Sequence, residues 1–484
     1  MQKEVKERKQ KKKYEIDMCN GPLLKKMLLF TVPLMASSIL QLLFNAADVV
    51  VVGRFAGDNS LAAVGSTASI IHLMVNLFIG MSIGANVLAA RYYGAKKSVL
   101  LSQTIHTAML LSVVSGLLLA TIGAVGSSWI LRIMQSPEEV IDLATIYLRI
   151  YFLGMPAMLA YNFGSAILRA VGDTRRPLYY LAGSGVVNVV LNLIFVVFFH
   201  MDVAGVALAT ILSQYLSAAL IIRCMLNGHG SMKLRPKLLM FHKDSLIKIM
   251  QIGIPAGLSG VLFSFSNVII QSSVNSFGSV VVAGNSAAGS VEGFTYVAMN
   301  SFAQAAISFT SQNVGAGKYK RVRKVMLRAV CCGAMVGLVM GCGCYLLAKP
   351  LLSLYSKSAE VIAVGTIRLF FICVPYFICG IMDIMVGVLR GLGYSVLPTI
   401  VSLIGACGLR IVWISTVFQI PKYHTIETIY ISYPVTWAIT AITHIICYVV
   451  IMNGIKKRQA QRANMPISKE TEELLKKLEV PCER

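Results

Sequence analysis

Apolar runs long enough to cross a membrane dominate this chain. A helix that spans the hydrocarbon layer needs about 20 consecutive, mostly apolar residues. Twelve stretches meet that ruler: 27–52, 61–90, 103–134, 141–170, 177–199 and 203–226, then 245–274, 281–312, 323–354, 360–390, 396–418 and 427–454. Backbone N–H and C=O groups in lipid must be satisfied within the segment, so runs of this kind fold as helices. The expected fold class is an all-α integral membrane protein with twelve transmembrane helices. Composition closes the soluble alternative, because 56% of the 484 residues are hydrophobic and only 13% are charged. Soluble domains carry about 25% charged residues, and so few charges cannot cover a globule of this size.

The formal charge of +23 could point to nucleic acid, but its placement does not. Lys and Arg concentrate at both ends and in alternate loops, as at Arg91–Lys97, Arg175-Arg176, Lys233–Lys243 and Lys318–Arg328, while the intervening loops are neutral or mildly acidic. That alternation is the positive-inside pattern. It predicts a multi-pass protein of the cell membrane with both termini cytoplasmic, whose surroundings are the lipid bilayer and not nucleic acid. The eleven cysteines lie mostly inside apolar runs and read as packing residues, not as a disulfide framework or a metal site. The basic N-terminus has no short apolar core followed by a small-residue cleavage site, so no removable signal peptide is expected.

The two halves repeat one another. Pro33 matches Pro255, Pro156 matches Pro375, and Arg169 matches Arg390, with offsets of 222, 219 and 221. The Arg91–Lys96 turn aligns with Gln312–Gly317 in the same register. Landmarks in one order at one spacing mark an internal duplication. Six spans per half give both halves the same orientation, related by an axis along the membrane normal. The expected organisation is a basic cytoplasmic tail (1–26), a first lobe (27–226), a connector (227–244), a second lobe (245–454) and a charged cytoplasmic tail (455–484). The lobes should pair around a central cavity.

The run Gln41-Leu42-Leu43-Phe44-Asn45-Ala46-Ala47-Asp48, continuing to Gly57, resembles the first helix of the multidrug and toxic compound extrusion (MATE) family. Leu61–Gly65, Gln312–Gly317 and the paired Leu-Arg-x-x-Gly turns before Pro177 and Pro398 are similar to that family too. The resemblance covers nearly the whole chain outside the tails. It implies two six-helix lobes around a V-shaped cavity. It also implies export of organic compounds, often cationic and lipophilic, in exchange for H⁺ or Na⁺.

Ionisable groups inside the apolar spans are the informative exceptions, because a charge at mid-bilayer costs about 2.5–3.5 kcal/mol or more. Asp48 sits in the outer part of the first span with no basic residue one turn away. A desolvated carboxylate there fits a proton carrier or a cation ligand. Hard cations want several oxygens. Gln41 lies two turns before Asp48 on the same face, Asn188 and Asn192 are one turn apart on the fifth span, and Asn162 and Thr210 stand on the fourth and sixth. In the branch of the resembled family with a first-lobe cation site, the positions resembling Pro33, Gln41, Asp48, Asn188, Asn192 and Thr210 form one network. That branch commonly has Asp where this chain has Asn192. The alternative role for each amide or hydroxyl is hydrogen bonding between helices.

The second lobe carries no carboxylate where Asp48 maps, near Ile269 or Ile270, but has Glu292 and Asp383. Either could attract a cationic substrate or a second ion, or could form a structural pair with Arg410, which also lies within a span. Arg149 and Arg368 are placed near helix ends. His72 and His106 are expected to make polar contacts more readily than to relay protons. Pro33, Pro156, Pro255 and Pro375 inside spans would free backbone carbonyls, and Pro33 is a candidate hinge. No cofactor is called for beyond the coupling ion. A lipid-linked oligosaccharide flippase of the same superfamily is the second reading, and it would need a cavity rich in Arg and Lys. A membrane enzyme lacks a motif, since no H-E-x-x-H, nucleophile turn or phosphate loop is present. The chain is expected to work on small molecules as a monomer.

Overall fold

The computed structural model describes residues 14–134 and 138–463. The first thirteen residues and those after 463, which include most of the charged C-terminal tail, lie outside that range. The described residues form helices and turns without a strand. In the first half these are α1 (Leu23–Phe55), α2 (Asp58–Gly94), α3 (Ser98–Ile133), α4 (Glu138–Leu153) with α5 (Met155–Ala170), α6 (Arg175–Leu193) and α7 (Asp202–Leu226). The second half holds α8 (Lys243–Asn275), α9 (Ser279–Gly315), α10 (Tyr319–Leu346) with short α11 (Ala348–Ser353), α12 (Ala359–Arg368) with α13 (Tyr376–Gly391), α14 (Val396–Ser402) with α15 (Leu409–Ser415), and α16 (Ile426–Ala463).

Each expected span holds helix, so the twelve-span layout stands. Among the described residues, nine segments pass as apolar spans unaided, and two more arise from the pairs α4–α5 and α12–α13, bent by 45° and 44°. The twelfth, α9, is 37 residues long but more polar, because Ser308, Ser311, Gln312 and Asn313 face the interior and not lipid. Outward faces are apolar and bare, as at Val125 (78% exposed) and Leu338 (45%), which suits hydrocarbon as the solvent.

Two of the four prolines differ from expectation. Pro156 stands in the first turn of α5 and Pro375 caps α13, so both sit at the bends, where the missing N–H removes no helical bond. Pro33 and Pro255 lie inside unbroken helices, and their carbonyls accept from Ser37 Oγ (2.9 Å) and Ser259 Oγ (3.2 Å).

The duplication appears in the backbone as well. Gly172 and Gly393, 221 positions apart (393 − 172), both turn at positive φ (95° and 97°) after the fourth and tenth spans. At the end of the molecule that carries the basic loops, the lobes hold each other reciprocally. Arg91 of α2 donates to Gly391 O (3.4 Å), and Gln312 of α9, 221 positions later (312 − 91), donates to Ala170 O (2.7 Å). Ser308 donates to Asn86 Oδ1 (3.1 Å), and Asn86 donates across to Ala166 O (2.7 Å). Below these, α2 and α8 touch backbone to backbone. A Cβ at Gly80 would fall on Gly257 N, and one at Gly84 on Ile249 O. Small residues of this kind let helices approach closely in a membrane.

A short segment ahead of α1 bridges the lobes at the same end. Met18 is fully buried. Tyr93 of the first lobe donates to Glu15 (3.2 Å), and a Cβ at Gly172 would collide with Ile16. From the second lobe, Asn313 donates to Met18 O (3.2 Å), Lys318 to Cys19 O (3.1 Å), and Arg321 to Asn20 O and Gly21 O (3.0 and 2.9 Å).

Candidate functional site

The polar first-lobe residues singled out in the sequence converge at one place. Asp48 sits about two turns from the end of α1, partly buried, and is met by α6 and α7. Asn192 Nδ2 donates to Asp48 Oδ1, and Thr210 Oγ1 donates to Asp48 Oδ2 at 3.4 Å. Asn188 Nδ2 donates to Thr210 Oγ1 (3.4 Å), and Asn192 Nδ2 also reaches Asn188 Oδ1 (3.4 Å). Asn188 and Asn192 are buried, at 4% and 0% exposure. Helical spacing is what puts both on one face of α6. Among the described residues, no basic side chain pairs with Asp48. Two carbonyl oxygens in this neighbourhood, Asn192 Oδ1 and Gln214 Oε1, are buried without a donor.

A narrow cleft opens on this carboxylate, with Gln41, Asn162, Tyr161 and Gln214 in its walls. Gln41 and Asn162 therefore line the site without closing on Asp48. The Asn162 amide donates back to Met158 O (2.9 Å). Pro33 lies two helical turns below Gln41, outside the cleft.

The second lobe overturns one expected pairing. Arg410 binds neither Glu292 nor Asp383. Its guanidinium lies over the Tyr433 ring (3.9 Å to the centroid) and donates to Thr436 (3.2 Å). Glu292 pairs instead with Arg368, whose Nη2 lies 2.8 Å from Oε2. Arg368 had been placed near a helix end. It ends α12 only because a π-helical turn (Leu369–Cys373) follows, and the span continues past it. Its side chain is 12% exposed. Arg149 remains at the exposed periphery.

A second cavity lies between the lobes just beyond the glycine contact of α2 and α8. Asp383 and Arg390, two turns apart on α13, both line it, with Asn76, Ser259, Tyr296 and Asn300. Arg390 donates to Ser259 Oγ (3.3 Å), and its buried Nε has no partner. Sequence reasoning missed Arg390 as a lining residue, since it reads as part of a surface turn; its spacing of seven from Asp383 was the available signal.

The histidines divide. His106 has both ring nitrogens engaged, with Nδ1 2.7 Å from Ser102 O and Nε2 3.0 Å from the Arg235 backbone N–H that donates to it. It joins the inter-lobe connector to α3. The His72 side chain lies outside the described residues.

Comparison with known proteins agrees with this architecture. The MatE family profile matches residues 33–194 and 255–414, one block in each half. The probable multidrug resistance protein YoeA of Bacillus subtilis is 27% identical over 86% of this chain and 91% of its own length. The multidrug export protein MepA of Staphylococcus aureus is 21% identical over 79% of this chain and 85% of its own. A solved structure described as the outward-facing conformation of a multidrug resistance MATE family transporter superposes with a TM-score of 0.86. It is 21% identical and covers 92% of this chain and 99% of that one. With both repeat halves matched to one family and the same twelve-helix layout, the chain is a multi-pass membrane transporter of the MatE family.

Proposed function

We propose that this chain is a secondary antiporter. It exports organic, chiefly cationic and lipophilic, compounds in exchange for H⁺ or Na⁺, working as a monomer in the cell membrane with its basic end and both termini in the cytoplasm. The observation that carries the reading is Asp48: a partly buried carboxylate, held only by neutral donors and open to a cleft, with surplus acceptor oxygens beside it. Such a group gains most from a proton or a cation, and a bound ion would shift the balance between lobe arrangements. The inter-lobe cavity supplies room for substrate next to Asp383. Supporting the substrate class are the names of the relatives, which speak of multidrug resistance and export. A flippase for a pyrophosphate-linked lipid would want a basic wall, whereas here Arg390 shares the cavity with Asp383.

The test is ethidium movement in everted vesicles under an imposed pH or Na⁺ gradient, for wild type and Asp48→Asn. The expected result is gradient-driven accumulation that the substitution abolishes, and the gradient that works names the ion. Undiminished movement in Asp48→Asn would remove the first lobe from coupling.

A further inference from the structure

Duplication makes each lobe a control for the other, and the two differ in how they treat a carboxylate. In the first lobe, neutral donors alone reach Asp48. The second lobe builds a closed network across four spans, α8, α9, the bent α12–α13 pair and α16. Glu292 on α9 accepts from Arg368 Nη2 (2.8 Å) and Nε (3.2 Å) through one oxygen, and from Tyr376 Oη (3.0 Å) through the other. Arg368 Nη1 donates to Asn285 Oδ1, which also accepts from Tyr430 Oη (3.2 Å). The Asn285 amide donates on to Gln271 Oε1 (3.0 Å), one or two residues from where Asp48 maps in this lobe. Both Glu292 oxygens are thus satisfied, and a positive charge lies against them at 13% and 12% side-chain exposure.

We propose that Arg368 is a tethered cation that fills the place of an ion beside Glu292, so that this second-lobe site binds no coupling ion and the transport cycle is coupled through Asp48. Three features support this reading. A guanidinium stays charged and presents several donors in a fixed fork, so it satisfies a carboxylate and an amide oxygen together, as a coordinated cation would. Unlike an ion, it cannot leave. Arg410 extends the pattern: it maps within a residue of Asn188, so a fixed cation also stands in the second lobe where the first has a neutral amide. A buried pair that lost its cation would leave Glu292 as exposed to need as Asp48 is, which is the situation a mobile ion relieves.

The inference rests on the antiport reading for its meaning in transport, so its test uses binding. Purified protein in detergent is melted across pH and in NaCl against choline chloride. Wild type should show one cation-dependent shift of the melting temperature, and Asp48→Asn should lose it. Adding Arg368→Met to Asp48→Asn should restore a shift of similar size, and adding Glu292→Gln to that pair should remove it again. Arg368→Lys, which keeps a charge, should restore none. The proposal is overturned if Asp48→Asn alone keeps a cation response that Glu292→Gln abolishes. It is equally overturned if the Asp48→Asn/Arg368→Met protein melts cooperatively yet ignores cations. Should Arg368→Met fail to fold, the charge-free Arg368→Met/Glu292→Gln protein replaces it, and one cation response abolished by Asp48→Asn is the required result. A normal binding pattern with no gradient-driven transport would sink antiport while leaving the tethered cation standing.

Discussion

In the proposed antiport, the pairing of Asp48 with Asn192 sets the affinity of the site for its ion. An amide lends Asp48 a donor and keeps one carbonyl oxygen, Asn192 Oδ1, without a partner. Replacing that amide with a second carboxylate, Asn192→Asp, adds charge where an ion would bind. The concentration of coupling ion for half-maximal ethidium movement should fall about tenfold, equivalent to about 1.4 kcal/mol; no change would separate Asn192 from the ion path. These first-lobe residues were legible in the sequence because helical spacing alone put Asn188 with Asn192 and exposed Asp48 as an uncompensated charge. The second-lobe pairs were not. Which arginine meets Glu292 depends on how α9 and α12 cross, and nothing in the linear order favours Arg368 over Arg410.

Helices of this molecule carry their special features at a few positions. Three π-helical turns, Ile194–Phe198, Leu369–Cys373 and Leu403–Gly408, fall within two residues of Asn192, Arg368 and Arg410 respectively. Such a bulge inserts a residue into the turn and swings the side chains beside it, often at functional sites. An apolar run gives no sign of one, which is why the spans were readable and the aim of these residues was not. The eighth span shows the converse. α9 is too polar to announce itself by hydropathy, yet its repeat partner α2 marks it. At this scale the glycine contact of α2 with α8 makes a direct prediction. Gly84→Leu places a side chain on the Ile249 carbonyl, so the two helices cannot meet. Protein should be made at normal levels while ethidium movement is lost, and a disulfide crosslink engineered between the ends of α2 and α8 should form poorly. Pro33→Ala gives a second test. If Pro33 is a hinge, transport should drop with expression intact, because Ala restores the missing backbone bond; unchanged transport sinks the idea.

Taken whole, the molecule is shut at its basic end by three layers. These are the α2–α8 backbone contact, the reciprocal Arg91 and Gln312 bonds, and the segment ahead of α1 that touches both lobes. The proposed alternating access requires all three to part. Arg321 anchors the last layer through three backbone carbonyls, so Arg321→Ala should favour the arrangement open at the basic end. A spin-label distance across the α2–α9 ends is the measurement, with a longer mean expected. The two-lobe plan was legible from the repeat, since matched landmarks fix both count and orientation. The bridging segment was not, as its residues read as part of the basic N-terminal tail and acquire meaning only where Met18 is buried.

That segment also carries a clock. Cys19 hangs within it, its Sγ 3.9 Å from Gln312 Oε1, and burial together with the charge of Asp17 pushes its thiol above the usual range. Little of it is thiolate near neutral pH while the segment is seated, so it should react slowly with alkylating reagents. In the proposed cycle, each parting of the lobes at the basic end returns the thiol to water and to its ordinary acidity. In a chain whose other cysteines are replaced, the alkylation rate of Cys19 therefore counts visits to the open state. Substrate and ion should each change that tempo without touching the residue itself.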